Sequence, residues 1–406
     1  MGGPASAGEP AVLPTPWRRL GTPSEELRLE WTLPTGQTFQ WRRSSRDPSL
    51  YTGVLARRLY QMRQLDGDVE WRTLARAADV PPDADADAIA RFLRLDVRLG
   101  PLVERWAAAD EHFASVAADF PGARMLDQEP VECLFQFICS SNNHISRIEG
   151  LVRRLASDYG IPLPIAVDPL VEGAAHGASA RDVRGDAALE DALAGAPFHA
   201  FPTIEQLEAA DEAALRAAGF GYRAKFIVGT VRELGAKPGG AEAWLAALRA
   251  SDDEAAVVEE LCSLPGVGPK VAACVALFSL AKPRLVPVDV HVLALAAKRY
   301  APHLRNRAPS PTLHAEVQQA FAKRFGDLAG WAHNSLFVAE VQRSRRGRVR
   351  GRGPPGHEGS AAVAETPPPK KRAGTDASSP ETSTPELVAD GPATRRQRAT
   401  RSAWGP

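Results

Sequence analysis

The chain has 406 residues, of which 44% are hydrophobic and 24% charged, and its 49 Lys and Arg residues balance 49 Asp and Glu residues. This length exceeds one domain of about 100–200 residues and predicts two or three packed units with a substantial core. No apolar run approaches the ~20 residues that cross a bilayer, which excludes a membrane-spanning protein. Four cysteines lack the spacing of metal ligands and are expected to be buried thiols.

The zero net charge conceals an asymmetry along the chain. From Arg343 onward there are 13 Lys and Arg against 6 Asp and Glu, a net charge of +7, so residues 1–342 carry −7. A mildly acidic folded part must contact a polyanion through a local arrangement of charges. The basic clusters of the tail suit a nuclear import signal or non-specific DNA contact, and a merely solubilising tail is the alternative.

The N-terminal part combines strand and helix patterns. Residues 1–23, rich in Gly, Pro and Ala, are predicted to be disordered. Apolar and polar residues alternate from Leu27 to Leu33, which predicts a half-buried strand. Further predicted strands are Thr38–Trp41, Tyr51–Leu55, Leu59–Arg63 and Val69–Leu74. Helical spacing then appears from Ile89 to Leu93 and from Phe113 to Phe120, so residues 24–122 are predicted to be an antiparallel sheet with helices.

The pattern becomes almost wholly helical from Val131, and residues 123–342 are predicted to form helical domains. The predicted helices include Ile145–Leu155, Ile204–Leu215, Lys225–Leu234, Ala241–Leu248 and a last helix from Trp331 to Val341. A segment rich in Gly, Ala and Asp at about 162–200 is predicted to be an inserted surface loop. Residues 343–406 are predicted to be a disordered basic tail.

A helix-hairpin-helix unit is predicted at about 253–280, around Leu264-Pro265-Gly266-Val267-Gly268-Pro269-Lys270. Asp252 or Asp253 can cap the first helix, and Pro269 suits the first turn of the second. Both glycines are expected to supply positive φ. Backbone N–H groups at such a helix N-terminus suit a phosphate.

Lys270 and Asp289 are the candidates for chemistry. The helix macrodipole disfavours a cation at Lys270, and partial burial would favour the neutral amine, which is a nucleophile. A lone lysine in this position is more often a solvated residue after a helix cap. Asp289 begins another apolar helix and is either a plain N-cap or a carboxylate beside Lys270.

These two motifs, Leu264–Lys270 followed by Val286–His291, resemble those of the helix-hairpin-helix DNA glycosylases that use both a lysine and an aspartate. Within that superfamily the chain is similar to the eukaryotic 8-oxoguanine DNA glycosylases from about Leu27 to Val341. Further matching segments occur in the same order: Thr35–Trp41, Cys139–Asn143, Gly219–Ala224 and Gly330–Ala332. The resemblance implies an α+β protein, with a TATA-binding-protein-like first domain before the helical glycosylase domains. Only Cys274 follows Lys270, which excludes the four-cysteine iron–sulfur cluster of the endonuclease-III-type branch.

The resemblance also implies the reaction. The enzyme would flip 8-oxoguanine paired with cytosine out of duplex DNA, excise it, and cleave the strand at the abasic site during base excision repair. Lys270 would attack C1′ and form a Schiff base that permits β-elimination, while Asp289 would stabilise positive charge on the sugar. No cofactor is required and no metal is assigned, although a structural cation at the hairpin is compatible with the family.

Four residues are assigned by resemblance to the pocket for the flipped base. Gly36 matches the glycine whose carbonyl accepts from the N7–H of the oxidised base, which guanine lacks. Phe337 and Cys274 match the residues that flank the base. His333 stands where the family has glutamine for the Watson–Crick edge. Without the resemblance, Gly36 would indicate a strand turn, Phe337 a core residue and Cys274 a buried thiol.

The remaining assignments concern DNA. The residues assigned to the orphan cytosine, and to the gap that the flipped base leaves in the base stack, are Asn142, Arg147, Tyr222 and Arg223. Those for phosphates are the N–H groups of Gly266, Val267 and Gly268, together with His291. Glu340 stands where the family has an aspartate as the partner of this histidine, a change that is expected to preserve the pairing. Taken alone, Asn142, Tyr222 and Arg223 are ordinary polar residues at helix ends.

Damaged double-stranded DNA and downstream repair proteins are the expected partners of a monomer in the nucleus, with a mitochondrial fraction as an addition. Two alternatives stay open. The first is a glycosylase of this architecture whose lesion range has moved because of His333. The second is a catalytically inactive helix-hairpin-helix DNA-binding protein, against which the presence of both Lys270 and Asp289 argues.

Overall fold

The computed structural model describes residues 14–165, 186–195, 197–305, 307 and 310–350. These residues all fall within one unit, Met1–Arg352. The predictions for residues 1–13, for most of the inserted loop and for the tail beyond 350 lie outside them. None of the described helices is long and apolar enough to cross a membrane.

A five-stranded antiparallel sheet with the order β1-β5-β4-β3-β2 forms the N-terminal part. Its strands are β1 (Arg18–Arg19), β2 (Trp41–Arg43), β3 (Leu50–Leu55), β4 (Arg58–Leu65) and β5 (Asp68–Arg76). The last three confirm predicted strands and are slightly longer than predicted. The strand predicted at Thr38–Trp41 is displaced toward the C-terminus and shares only Trp41 with β2.

Helices make up most of the rest, as predicted. They are α1 (Leu29–Thr32), α2 (Asp85–Phe92), α3 (Leu99–Ala109), α4 (Glu111–Asp119), α5 (Pro130–Ser140), α6 (Ile145–Tyr159), α7 (Ala187–Gly195), α8 (Ile204–Leu207), α9 (Glu212–Leu215), α10 (Arg223–Gly235), α11 (Gly240–Ala250), α12 (Glu254–Cys262), α13 (Pro269–Ser279), α14 (Val290–Arg299), α15 (Pro311–Phe325) and α16 (Ala329–Arg350). The boundary predicted between the domains at residue 122 stays a prediction.

The strand predicted from Leu27 to Leu33 is wrong, because the segment forms α1 and a 3-10 turn. Residues four apart share a face in either a helix or a strand, so Leu29 and Leu33 fit both patterns. Thr32 decides between them. It is fully buried, whereas an alternating strand would bury Trp31 and expose Thr32. The disordered segment predicted for 1–23 is also too long, because Arg18 and Arg19 pair with Trp71 and Glu70 of β5.

Two predicted helices have different bounds. The helix predicted at Ile204–Leu215 is divided into α8 and α9, because the Asp211 side chain accepts from the Ala214 N–H at 2.9 Å and starts a new helix. The last helix was predicted to end at Val341, but α16 continues to Arg350, into the predicted tail.

The inserted segment at 162–200 is not a surface loop throughout, because α7 packs against the sheet. Leu189 and Ala192 are buried in an apolar cluster with sheet residues such as Leu59 and Leu74. Gln61 Nε2 donates to the Ala188 carbonyl at 2.6 Å. A sheet face that presents apolar residues must be covered, and the alanine-rich composition concealed an amphipathic helix.

A buried arginine ties the chain together just before the helical domains. Arg124 is 1% exposed. Its guanidinium donates to the Leu93 carbonyl at 2.6 Å and to the Glu26 carboxylate at 3.1 Å. It also donates to the carbonyls of Glu26, Arg94 and Val97. The Arg124 carbonyl in turn accepts from the side chains of Gln37 and Asn334, which belong to different parts of the molecule.

Candidate active site

The helix-hairpin-helix unit is formed by α12, a turn at 263–268 and α13. Asp253, rather than Asp252, caps α12 by accepting from the Ala256 N–H at 2.9 Å. Gly266 has φ +80°, as predicted. The prediction of positive φ for Gly268 is wrong, because this residue is the extended N-cap of α13 with φ −97°.

We expect Gly266→Ala to destabilise the hairpin. An added Cβ would lie 2.5 Å from Cγ of Phe226 on α10, in a backbone conformation that L side chains avoid. The expected cost is about 2–3 kcal/mol in the free energy of unfolding, measured by urea denaturation. Gly268→Ala is the matched control, since its Cβ would meet no atom within 4 Å and should cost under ~1 kcal/mol. Equal losses in the two variants would contradict this account.

All six predicted residues of chemistry and base recognition line one pocket. Its wall is formed by Thr35, Gly36, Gln37, Phe137, Lys270, Cys274, Phe278, Pro287, Asp289, His333, Asn334 and Phe337. The cavity measures about 40 Å³, which is room for water rather than for a purine. A base therefore enters only when side chains move. Of the two aromatic candidates on α16, Phe337 is half-buried and His333 is buried, so Phe337 has more freedom to move.

Lys270 lies half-buried in the first turn of α13. Its Nζ is 5.2 Å from the ring centroid of Phe137, on whose face a cation is attracted. Cys274, one turn later, is 2% exposed and lies close enough to Lys270 for the two side chains to interact. Burial raises the pKa of the Cys274 thiol, although the charge of Lys270 opposes the rise. Cys274 is therefore an uncharged thiol that packs rather than a second nucleophile.

Asp289 is both a helix cap and a pocket residue. Its Oδ1 accepts from the N–H groups of His291 and Val292, each at 2.9 Å, at the start of α14. The cap fixes the carboxylate at the edge of the pocket that holds Lys270. The two readings left open for Asp289 are thus compatible. In the described part of the chain, no group of three or more His, Cys, Asp or Glu side chains is placed to hold a metal ion.

Gly36 has the left-handed backbone that its turn requires, with φ +89° after the 3-10 helix. Its position is fixed by Gln37, which is 1% exposed. The Gln37 side chain donates to the Arg124 carbonyl at 3.1 Å, and the backbone carbonyl of Gln37 accepts from Gln128 Nε2 at 2.7 Å. The Gly36 backbone is therefore held rigidly in the pocket wall.

His333, on α16, is 4% exposed and packs between two aromatic rings. Phe321 meets it edge-on with centroids 5.7 Å apart, and Phe337 stacks on it at 5.9 Å. Neither ring nitrogen has a hydrogen-bond partner among the described residues. Burial lowers the pKa of His333 to about 4, with Asp289 opposing the shift and Lys270 adding to it. The imidazole is therefore neutral near pH 7.

We expect His333 to make the fold less stable on acidification. Its pKa falls from 6.5 to about 4 on folding, so between these values the unfolded chain binds a proton that the folded chain does not. The contribution of this site to the free energy of unfolding therefore becomes smaller as the pH falls through this window. Urea unfolding at pH 7 and pH 5 should show His333→Gln gaining stability relative to wild type at the lower pH. A difference independent of pH would contradict the burial argument.

A second cluster contains the residues predicted to face the orphan cytosine. Arg223 is 2% exposed and donates to the Ser141 carbonyl and, at 3.0 Å, to the Asn142 carbonyl. The Tyr222 hydroxyl also donates to the Ser141 carbonyl, at 2.9 Å, and Arg147 donates to the Gly219 carbonyl at 3.3 Å. Two loops, at 141–143 and 219–223, are thereby held together. Asn142 adopts a positive φ of 45° in the first of them.

Helix α10 connects this cluster to the hairpin. Tyr222 at its N-terminus meets Phe226 edge-on at 5.8 Å, and Phe226 packs against Gly266. Thr230 Oγ1 donates to the Pro265 carbonyl at 2.9 Å.

His291 and Glu340 are both exposed, and the structure shows no ion pair between these two described residues.

Sequence reasoning missed the other residues of the pocket wall. Phe137 and Phe278 stack with centroids 5.7 Å apart beneath Lys270 and Cys274. Both lie in helices that are buried on almost every side, so periodicity distinguishes no functional face there. Asn334 carried a weak signal, as one of three consecutive polar residues, His333 to Ser335, between apolar ones.

Comparison with known proteins agrees with this geometry. A family model for the N-terminal domain of 8-oxoguanine DNA glycosylase matches residues 19–134, and one for the helix-hairpin-helix motif matches residues 250–278. The chain is 38% identical over 346 residues to N-glycosylase/DNA lyase OGG1 of Arabidopsis thaliana, covering 83% of this chain and 86% of that protein. The chain belongs to the eukaryotic 8-oxoguanine DNA glycosylase family.

Other relatives support the assignment of this glycosylase. The N-glycosylase/DNA lyase of Saccharomyces cerevisiae is 32% identical over 351 residues, covering 80% of this chain and 86% of that protein. The structure of MBOgg1 in complex with a low-affinity DNA ligand has a TM-score of 0.62 at 25% identity, covering 81% of this chain and 96% of that one. The fold also matches the Clostridium acetobutylicum 8-oxoguanine glycosylase/lyase in complex with double-stranded DNA containing cytosine opposite 8-oxoguanine, with a TM-score of 0.62 at 22% identity over 79% of this chain and 93% of that one.

Membership of this family makes the chain a DNA repair enzyme, an N-glycosylase and DNA lyase that binds DNA. The α+β fold predicted from the sequence, a sheet followed by helical domains, is confirmed. The hypothesis of an inactive binding protein is set aside.

Proposed function

We propose that this glycosylase flips 8-oxoguanine opposite cytosine out of duplex DNA, excises it through a Schiff base on Lys270, and cleaves the strand by β-elimination. The observation that carries the proposal is the convergence of Lys270, Asp289 and the rigid Gly36 backbone in one largely apolar pocket. A nucleophile, a carboxylate and a carbonyl directed at a base edge are the groups this reaction needs.

Lys270 supplies the nucleophile. Its neutral amine forms a bond to C1′ of the sugar while the bond from C1′ to N9 breaks, and the base leaves with the electron pair. The amine gives one proton to the departing base, and the other goes to O4′ as the bond from C1′ to O4′ breaks and the sugar ring opens to the Schiff base. Loss of a proton from C2′ then expels the 3′ phosphate and cleaves the strand. Asp289, fixed by its cap bonds to α14, stabilises the positive charge that develops on the sugar.

The lesion is selected at N7. An oxidised purine carries an N–H there, whereas guanine presents a lone pair that a carbonyl oxygen repels. The carbonyl of Gly36 accepts from this N–H in the proposed complex. Cys274, uncharged because it is buried, packs on one face of the base, and Phe337 stacks on the other.

The loops at 141–143 and 219–223 contact the strand opposite the lesion. Arg223 and Arg147 donate to the acceptors of the orphan cytosine. Nε of Arg223 is buried and has no partner among the described residues, so the side chain must shift before this donor can reach DNA. Tyr222, which is 42% exposed, fills the stack left by the flipped base, and Asn142 supports the cytosine.

The hairpin N–H groups of Gly266 and Gly268 hold phosphate oxygens, and His291 contacts a further phosphate. The N–H of Val267, also predicted for this role, already donates to the Leu264 carbonyl at 3.1 Å within the turn. A cation bound at this turn would add to the phosphate contact. The enzyme acts as a monomer without a cofactor, and the basic residues of its tail direct it to the nucleus, with a mitochondrial fraction. Its proposed protein partners are those that process the cleaved strand.

The test is borohydride trapping on a duplex with one 8-oxoguanine opposite cytosine, followed by mass spectrometry of the adduct. The expected result is a covalent complex that maps to Lys270. Competing duplexes with guanine, or with adenine opposite the lesion, should prevent little of the trapping. An adduct on an abasic-site duplex but none on the lesion duplex would contradict the lesion assignment, and an adduct on another lysine would contradict the proposed nucleophile.

A further inference from the structure

A second cavity opens between strand β2, helix α6 and the chain that follows α7. It measures about 260 Å³, against about 40 Å³ for the pocket that holds Lys270. Its described wall contains no carboxylate, and its basic residues are Arg42 on β2, Arg153 and Arg154 on α6, and His199. Three cationic side chains and an imidazole therefore line a space to which the described wall contributes no negative charge.

The described partners of Arg42 are neutral. Its guanidinium donates to the Gly195 carbonyl and lies over the Phe198 ring, with Cζ 4.4 Å from the ring centroid. Burial lowers the pKa of Arg42, and the charge of Arg153 lowers it further. Arg153 is exposed and forms no ion pair or hydrogen bond with another described side chain. The two guanidinium groups thus repel each other, and the described wall supplies no counter-charge.

Three acidic residues near the cavity leave most of this charge uncompensated. Asp158 pairs with Arg154 at 2.7 Å but does not line the cavity. Glu132 interacts with Gln40 of the cavity wall, and burial raises the pKa of Glu132 to about 8, so it is mostly uncharged near pH 7. Glu149 of α6 lies outside the wall. An anion in the cavity would therefore relieve a repulsion that the free protein carries.

We propose that this cavity binds a phosphate group, held by Arg42, Arg153 and Arg154. A guanidinium group matches the oxygens of a phosphate and donates two parallel hydrogen bonds to them. A phosphate presents oxygens in several directions and carries up to two negative charges, so it can accept from arginines of β2 and α6 at once. The site shares no lining residue with the pocket at Lys270, and the proposal does not depend on the chemistry there.

Two sources of phosphate fit the position of the cavity. Arg147, proposed to contact the strand opposite the lesion, lies on α6 seven residues before Arg154. Seven residues make two helical turns and ~10 Å, so the two arginines project from the same side of α6. A backbone phosphate of bound DNA is therefore one source. A free phosphate or small phosphomonoester is the other, since a cavity of about 260 Å³ has room for several groups the size of water, each ~30 Å³ in the liquid.

The first test is calorimetric titration of the enzyme with inorganic phosphate at constant ionic strength. We expect saturable binding that Arg153→Glu weakens at least about tenfold, because it removes a charged donor and adds a repelling charge. Arg105→Glu is the matched control, the same reversal at an exposed arginine of α3 outside the cavity, and should bind phosphate as the wild type does. Binding that is absent, or that the two variants weaken equally, would overturn the proposal.

Stability without phosphate gives an independent readout. Arg153→Glu places a carboxylate beside Arg42, so its melting temperature in a phosphate-free buffer should rise by about 1–3 °C relative to wild type. Arg153→Gln removes the charge without reversing it and should have an intermediate affinity for phosphate. A lower melting temperature for both variants would contradict the repulsion on which the site depends.

The second test identifies the source, using Lys270→Gln bound to an uncleaved lesion duplex. If DNA supplies the phosphate, the duplex prevents binding of inorganic phosphate, and adding Arg153→Gln reduces the slope of log affinity against log salt by about one phosphate contact. If the ligand is free, inorganic phosphate binds the complex as it binds the enzyme, and the slope is unchanged. Either result supports a phosphate site. Neither requires base excision, so failure of the proposed function would leave this inference standing.

Discussion

Lys270→Gln is expected to abolish base excision and strand cleavage, lowering both single-turnover rates by at least about 10⁴-fold, as removal of a catalytic nucleophile does. Glutamine is polar and nearly as long as lysine, so it preserves the packing against Phe137 and a polar group near Cys274. Its amide is not nucleophilic, and no Schiff base can form. Rates on lesion and abasic-site duplexes measure the effect.

Binding separates this loss from misfolding. The variant should still bind the lesion duplex, because the hairpin and the two loops that contact the opposite strand are unchanged. Lys298→Gln is the matched control, an exposed lysine in the last turn of α14 whose loss should leave the rates nearly unaltered. Cleavage of the abasic site at the wild-type rate by Lys270→Gln would require a different nucleophile.

Arg124→Met should be the most destabilising of the substitutions considered. It leaves the buried carbonyls of Leu93, Arg94 and Val97 without their donor and the Glu26 carboxylate without its buried partner. Removing one member of a buried ion pair costs about 3–5 kcal/mol, which denaturant titration measures as a loss in the free energy of unfolding. Activity should fall with it, since the same residue's backbone carbonyl anchors the side chains of Gln37 and Asn334 in the pocket wall.

Arg98→Met tests whether the location of the charge decides this cost. Arg98 approaches the same Glu26 carboxylate at 3.8 Å, but its side chain is 83% exposed. An exposed pair contributes about 0–1 kcal/mol, so little stability should be lost. Similar losses for the two arginines would show that the buried bonds of Arg124 contribute less than their geometry indicates.

The sequence predicts the candidate site more completely than it predicts the fold around it. Lys270, Asp289 and Gly36 each belong to a short motif whose backbone requirement is local, a helix start or a tight turn, and the structure brings them to one pocket. Their chemical roles came from the family resemblance and stay predictions.

The parts of the fold that failed were those decided by distant contacts. Seven alternating residues from Leu27 could not reveal that Gln64, from β4, would accept from the Leu29 N–H at 2.9 Å and that the segment would turn into α1. The composition around α7 likewise gives no sign that Gln61 and Arg72 of the sheet hold its N-terminal end. Gly268 failed for a local reason, since two glycines in one turn do not show which of them takes the positive φ.

The short outer strands of the sheet have a consequence for its behaviour at high concentration. β1 has two residues and β2 three, against six to nine in the strands between them. Unpaired edge groups are the template on which a second chain adds a strand, and short edges bearing positive charge are poor templates. Arg18, Arg19, Arg42 and Arg43 lie on these two edges. The apolar central strands are thereby shielded from intermolecular pairing, which protects the folded enzyme from aggregation through its sheet.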